Sequence, residues 1–113
     1  MKVVIYCRVA TAGQDEFDAL GQQEERLRVF AEAAGHEVVG CVCETGAGTT
    51  LERPGIRTLQ TMAADGEMDA VLALSLSRLA RNSFDLLALC KTLQANKVRI
   101  LTAKEGAVLA PAP

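Results

Sequence analysis

Lys2-Val3-Val4-Ile5-Tyr6-Cys7-Arg8-Val9-Ala10-Thr11 opens the chain with a nearly continuous apolar, β-branched run that gives way to small residues. That pattern belongs to a strand buried on both faces of a parallel sheet, and the strand is read over residues 2–9. A small-residue break with Gly13 follows it. Arg8 therefore stands at the carboxyl end of the strand, where open α/β sheets bind their ligands.

Downstream, strand and helix patterns alternate. Over residues 15–34 the apolar positions Leu20, Leu27, Phe30, Ala31 and Ala34 recur at helical spacing, and Gly35 supplies a stop. A second strand is read over residues 36–43, followed by the loop Glu44-Thr45-Gly46-Ala47-Gly48-Thr49-Thr50. Pro54 suits the first turn of a helix that turns Ile56, Leu59 and Met62 inward and ends near Gly66. Residues 69–74 form a third strand. Asn82 or Ser83 caps a helix with the stripe Leu86, Leu89, Cys90 and Leu93, which Asn96 is expected to end.

Residues 98–102 supply a fourth strand, and residues 107–109 are expected to add a short edge strand. The expected fold class is α/β: a single domain over residues 1–113 with its core at about 2–104, a mainly parallel four- or five-stranded sheet, and helices on both faces. The tail, residues 105–113, contains Pro111 and Pro113, which oppose a helix.

The composition, 50% hydrophobic and 23% charged, is that of a chain that can fill a core, and no apolar run is long enough to span a membrane. A cytoplasmic location is expected. The cysteines Cys7, Cys41, Cys43 and Cys90 lie in apolar segments without Cys-x-x-Cys spacing, so buried free thiols are expected, with no metal and no cofactor. A net charge of −2 argues against strong binding to a polyanion by this domain alone, yet leaves room for a local anion site.

Such a site is suggested by the arginines. Arg8 ends the first strand, Arg53 follows the loop after the second, and Arg78 and Arg81 follow the third. Taken singly, an arginine at a strand end is ordinarily a solvated charge, and Gly46 and Gly48 ordinarily mark a turn. Together the guanidinium groups are expected along one sheet edge, where their forked donors suit the oxygens of a phosphodiester. His36 is the only histidine, and no His/Asp/Glu cluster has metal-ligand spacing, so phosphoryl chemistry here is expected to proceed without a metal.

In order along the chain stand Tyr6-Cys7-Arg8-Val9-Ala10-Thr11, then Leu20 and Gln23, then Glu44-Thr45-Gly46-Ala47-Gly48 with Arg53-Pro54-Gly55, then Leu76-Ser77-Arg78-Leu79-Ala80-Arg81-Asn82. This series resembles the catalytic domain of the serine recombinases, the resolvase and invertase family. The resemblance implies a central sheet and a role in DNA cleavage and strand exchange, in which a serine attacks the scissile phosphate. It further implies that Arg8, Arg78 and Arg81 hold the phosphate, that Arg53 and Gln23 support the pocket, and that Tyr6 shapes the site without reacting.

The chain departs from that pattern where chemistry is concerned. Ala10 occupies the position of the serine nucleophile, Ser77 that of an acidic residue before Arg78, and Glu44 that of an aspartate. Loss of the attacking hydroxyl predicts a cleavage-deficient domain. Thr11 could replace it only if the backbone reversed locally, since adjacent side chains on an extended segment face opposite ways. The family's long dimer helix and DNA-binding domain are expected to be absent from this chain.

Three functions stay open at this stage: a recombinase catalytic domain that no longer cleaves, a regulatory module that pairs with an active recombinase, and a small-molecule anion binder. The expected partners are DNA, bound weakly by this domain alone, and a second copy or a related recombinase. No membrane partner is expected.

Overall fold

The computed structural model describes residues 1–9, 16–45, 54–80, 83–104 and 106–109. Its elements run β1 (Lys2–Val9), α1 (Glu16–Ala33), β2 (Glu37–Thr45), α2 (Pro54–Ala64), β3 (Ala70–Ala73), α3 (Leu76–Leu79), α4 (Ser83–Ala95), β4 (Arg99–Thr102) and β5 (Gly106–Leu109). They build one five-stranded sheet in the order β2-β1-β3-β4-β5. Only β5 runs antiparallel to its neighbour, β4.

The apolar run that opens the chain is an interior strand of the sheet. Val3, Val4, Ile5, Tyr6 and Cys7 are all at 0% exposure, because β1 is flanked by β2 and β3 and covered on both faces. Side chains alternate across a strand, so consecutive residues of β1 enter different cores. Val4 and Tyr6 pack with Ile56 and Leu59 of α2, Leu79 of α3, and Leu89 and Leu93 of α4. Val3, Ile5 and Cys7 pack with Leu27 and Ala31 of α1.

All three long helices end in one motif. After α1, the Gly35 and His36 amides donate to the Glu32 and Ala31 carbonyls, and after α2 the Gly66 and Glu67 amides donate to Ala63 and Met62. Gly35 and Gly66 have φ of +78° and +72°, the left-handed geometry this double hydrogen bond requires. The α4 terminus repeats the pattern, with Lys97 and Val98 donating to Gln94 and Leu93. Here Lys97, at φ +60°, takes the glycine's place. The expected terminator Asn96 is thus one residue early: burial of Val98 draws the chain into β4 and forces the reversal onto Lys97.

Two further expectations are corrected. The second strand continues through Thr45, because β1 reaches Val9 and pairs Arg8 with Glu44 and Val9 with Thr45. Glu44 is therefore a strand residue and not the start of a loop. All four cysteines are unbridged, yet only Cys7 is buried; Cys41 and Cys90 are half-buried and Cys43 is exposed. Cys41 and Cys43 lie on β2, an edge strand, which has only one neighbouring strand among the described residues.

Candidate functional site

From β1 the chain passes first to β2 on one side and then to β3 on the other, so a crevice opens between the carboxyl ends of β1 and β3. This is the switch point at which open α/β sheets take their ligands. Pairing of β1 with β3 ends at Tyr6 opposite Ala73, two residues short of Arg8. The backbone of Arg8, no longer met by β3, needs other partners.

Those partners are side chains. Gln23 of α1 accepts from the Arg8 amide through Oε1 at 3.3 Å and donates from Nε2 to the Arg8 carbonyl at 3.1 Å. Arg78 of α3 donates from Nη1 to the same carbonyl, also at 3.1 Å. In return the Arg8 guanidinium donates from Nε to the Arg78 carbonyl at 2.9 Å and from Nη2 to the Ser77 carbonyl at 2.8 Å. Each arginine thus holds the other's backbone, and Arg8 and Gln23 are each only 6% exposed.

This exchange explains why Leu76–Leu79 is helical at all, since four residues are too few to hold a helix alone. Buried Leu79 and the two carbonyls bound by Arg8 anchor it against the end of β1. The Ser77 hydroxyl is exposed and shares a 2.8 Å hydrogen bond with that of Ser75. Among the described residues, Arg78 has no carboxylate within ion-pair distance.

A second group lies beside the first on the same face. The phenol of Tyr6, at 0% exposure, donates a short hydrogen bond to Glu44 Oε2. Glu44 Oε1 accepts from the Gly55 amide at 2.9 Å. A carboxylate there satisfies one of the open donors at the start of α2 and complements the helix dipole. A Cβ at position 55 would stand 2.5 Å from the Glu44 carboxyl carbon, so a larger residue there displaces the carboxylate from the α2 start.

The structure therefore brings together Arg8, Gln23, Ser77 and Arg78, with Tyr6 and Glu44 adjoining them. Ala10, Thr11, Arg53 and Arg81 lie outside the described residues. Sequence reasoning missed the role of Gly55, although its place after Pro54 at a helix start, with a carboxylate upstream, was a usable signal.

The opposite face of β1 carries a different group. Cys7, Cys41 and Cys43 place their sulfurs within 4.8 Å of one another. The Cys41 thiol is pushed well above its usual range, first by its hydrogen bond with Cys7 and then by burial, and the Cys43 thiol is pushed up to about 11, chiefly by burial. Glu24 is held below the usual carboxylate range by its hydrogen bond from Arg28. A shallow groove of about 670 Å³ also lies along α1, between Arg26, Val29 and Phe30 and the ends of β3 and β4 at Leu74 and Ala103.

Known proteins share this fold. The N-terminal catalytic domain of TP901-1 integrase superposes with a TM-score of 0.83 at 32% identity, covering 94% of this chain and 79% of that one. A resolvase family site-specific recombinase from Streptococcus pneumoniae gives 0.81 at 29% identity, covering 94% and 74%. The "Putative resolvase L103" of Acanthamoeba polyphaga mimivirus is 31% identical over 105 residues, which are 92% of this chain and 51% of that protein. The chain thus spans about half the length of that relative. Residues 3–112 match the family described as Resolvase, N terminal domain. With its sheet, its switch-point arginines and this match over nearly the whole chain, the protein belongs to the serine recombinase family, in the part that corresponds to the resolvase N-terminal catalytic domain.

Proposed function

We propose that this chain is a recombinase catalytic domain that grips a DNA backbone phosphate at the β1/β3 crevice and does not cleave it. The observation that carries this reading is the interlocked pair Arg8 and Arg78, which fixes a rigid, positively charged end to β1. Arg78 spends one N–H on the Arg8 carbonyl, and guanidinium carries five, so the geometry leaves donors for phosphate oxygens. Arg81 and Arg53 would complete the grip by their place in the family motif. Arg8 and Gln23 hold the strand end in position, and Tyr6 with Glu44 holds the start of α2.

Ala10 has no oxygen with which to form a phosphoserine bond, and Ser77 has no carboxylate to orient the arginines or move a proton. Incubating the chain with a nicked crossover-site duplex and running a denaturing gel is expected to show no covalent protein–DNA band. Ala10→Ser combined with Ser77→Asp is expected to produce one. A band from the unsubstituted chain would overturn the reading.

A second reading is favoured by α4. Phe84 is 86% exposed and Leu87 57% exposed on this helix, an apolar pair without cover from the domain itself. It would suit a second copy or an active relative, whose activity this chain would then lower. Mixing the chain with such a relative and sizing the product is expected to show a mixed oligomer, and Phe84→Lys is expected to dissolve it. Unchanged elution of both proteins would remove this reading.

A further inference from the structure

Cys7 lies opposite Cys43 in the parallel register of β1 and β2, and Cys41, two residues before Cys43, shares its face. The Cys41 and Cys43 sulfurs are 3.6 Å apart. Facing them from α1, Glu24 brings Oε1 to 4.0 Å from the Cys43 sulfur. Its other oxygen is held at 2.8 Å by Arg28 Nε. Three sulfurs from β1 and β2 thus lie within 4.8 Å of one another at an edge of the sheet, with the Glu24 carboxylate of α1 beside Cys43.

We propose that Cys7, Cys41 and Cys43 bind a single thiophilic divalent cation, with the Glu24 carboxylate turning in from beside Cys43 as the fourth ligand and zinc the ion whose preferences they fit. Zinc–sulfur bonds of about 2.3 Å and zinc–oxygen bonds of about 2.1 Å at tetrahedral angles place two sulfurs about 3.8 Å apart and a sulfur and an oxygen about 3.6 Å apart. The observed 3.6 and 4.0 Å are within a few tenths of an ångström of those values. Sulfur donors exclude magnesium and calcium, which take oxygen ligands. Arg28 acts as the outer partner that orients a ligating carboxylate.

Cys41 and Cys43 are poorly spaced for a disulfide with each other. Residues two apart on a strand are separated by about 6.6 Å between Cα atoms, at the upper end of the span a disulfide tolerates. A bound cation needs no such bend. It would tie α1 to β1 and β2, and Glu24 is next in sequence to Gln23, the residue that holds Arg8. The site would thus brace the phosphate crevice from the reverse side of β1.

The probe is cobalt(II), titrated into the reduced, chelator-treated chain and then displaced by zinc. One equivalent is expected to give thiolate charge-transfer absorption with the intense visible bands of a tetrahedral site, and one equivalent of zinc is expected to bleach them. Cys7 is wholly buried, so the substitutions that leave the core intact are placed on the accessible ligands. Cys43→Ser is expected to weaken binding at least tenfold and Glu24→Gln severalfold, while Cys90→Ser leaves it unchanged. Zinc is expected to shield Cys41 and Cys43 from alkylation but not Cys90. Weak octahedral cobalt spectra, equal affinity in Cys43→Ser, or alkylation of Cys43 at the metal-free rate would each overturn the proposal.

Discussion

The two faces of β1 differ in how much of their chemistry is already spent. On the α3 side, Arg8 and Tyr6 are committed to backbone carbonyls and to Glu44, and those bonds set the positions of α3 and α2. On the α1 side, the intervening Cys7 joins two thiols that form no disulfide. One strand of alternating side chains thus carries an arginine-lined strand end on one face and, behind it, a set of soft donors. The lesson is that a motif read along a strand describes one face, while its odd positions can assemble something else with the neighbouring strand.

Arg8→Met tests the crevice face most severely. It removes both bonds to α3 and leaves the Ser77 and Arg78 carbonyls without that partner, so a loss of about 3 kcal/mol is expected in chemical denaturation. A loss under about 0.5 kcal/mol, the range of surface changes, would show that Arg8 does not hold α3 in place. Gly55→Ala pushes the Glu44 carboxylate off the Gly55 amide and is expected to cost about 1 to 2 kcal/mol, the worth of the hydrogen bonds it disturbs. Were it neutral, the contact of Glu44 with the α2 start would be wrong.

Tyr6→Phe should cost a similar amount, about 1 to 2 kcal/mol, by taking one hydrogen bond from Glu44 while keeping the ring. Arg78→Gln is expected to cost about 1 kcal/mol, since the Arg8 carbonyl keeps Gln23. It should also weaken duplex binding and lower the slope of log K against log salt by about 1, the signature of one lost phosphate contact. An unchanged slope would remove Arg78 from the phosphate grip. The smallest effect is expected at Lys97→Gly, a gain of up to about 1 kcal/mol from relieving a left-handed lysine at the α4 terminus.

Much of the fold was legible because its signals are local. The apolar run of β1, the helical stripes, and Gly35 and Gly66 as stops each report on the few residues around them. Lys97 was not legible, since its conformation is imposed by the burial of Val98 and not by any preference of lysine. Neither was the extension of β2 to Thr45, which depends on the length of β1. At the site, the juxtaposition of Arg8 with Arg78 followed from placing strand ends together. The direction of their hydrogen bonds, each to the other's backbone, did not, because it depends on β3 stopping two residues early. The thiol cluster was hidden for another reason: Cys7 meets Cys43 only through the register of β1 and β2.

The central claim is that a phosphate sits where β1 and β3 end. Amide spectra of the isotope-labelled chain, followed while a short DNA duplex is added at low salt, test it most directly. The expected result is a saturable set of shifts at Arg8, Gln23, Ser77 and Arg78 that fades as salt is raised. Shifts that spare these residues and gather elsewhere on the surface would contradict it.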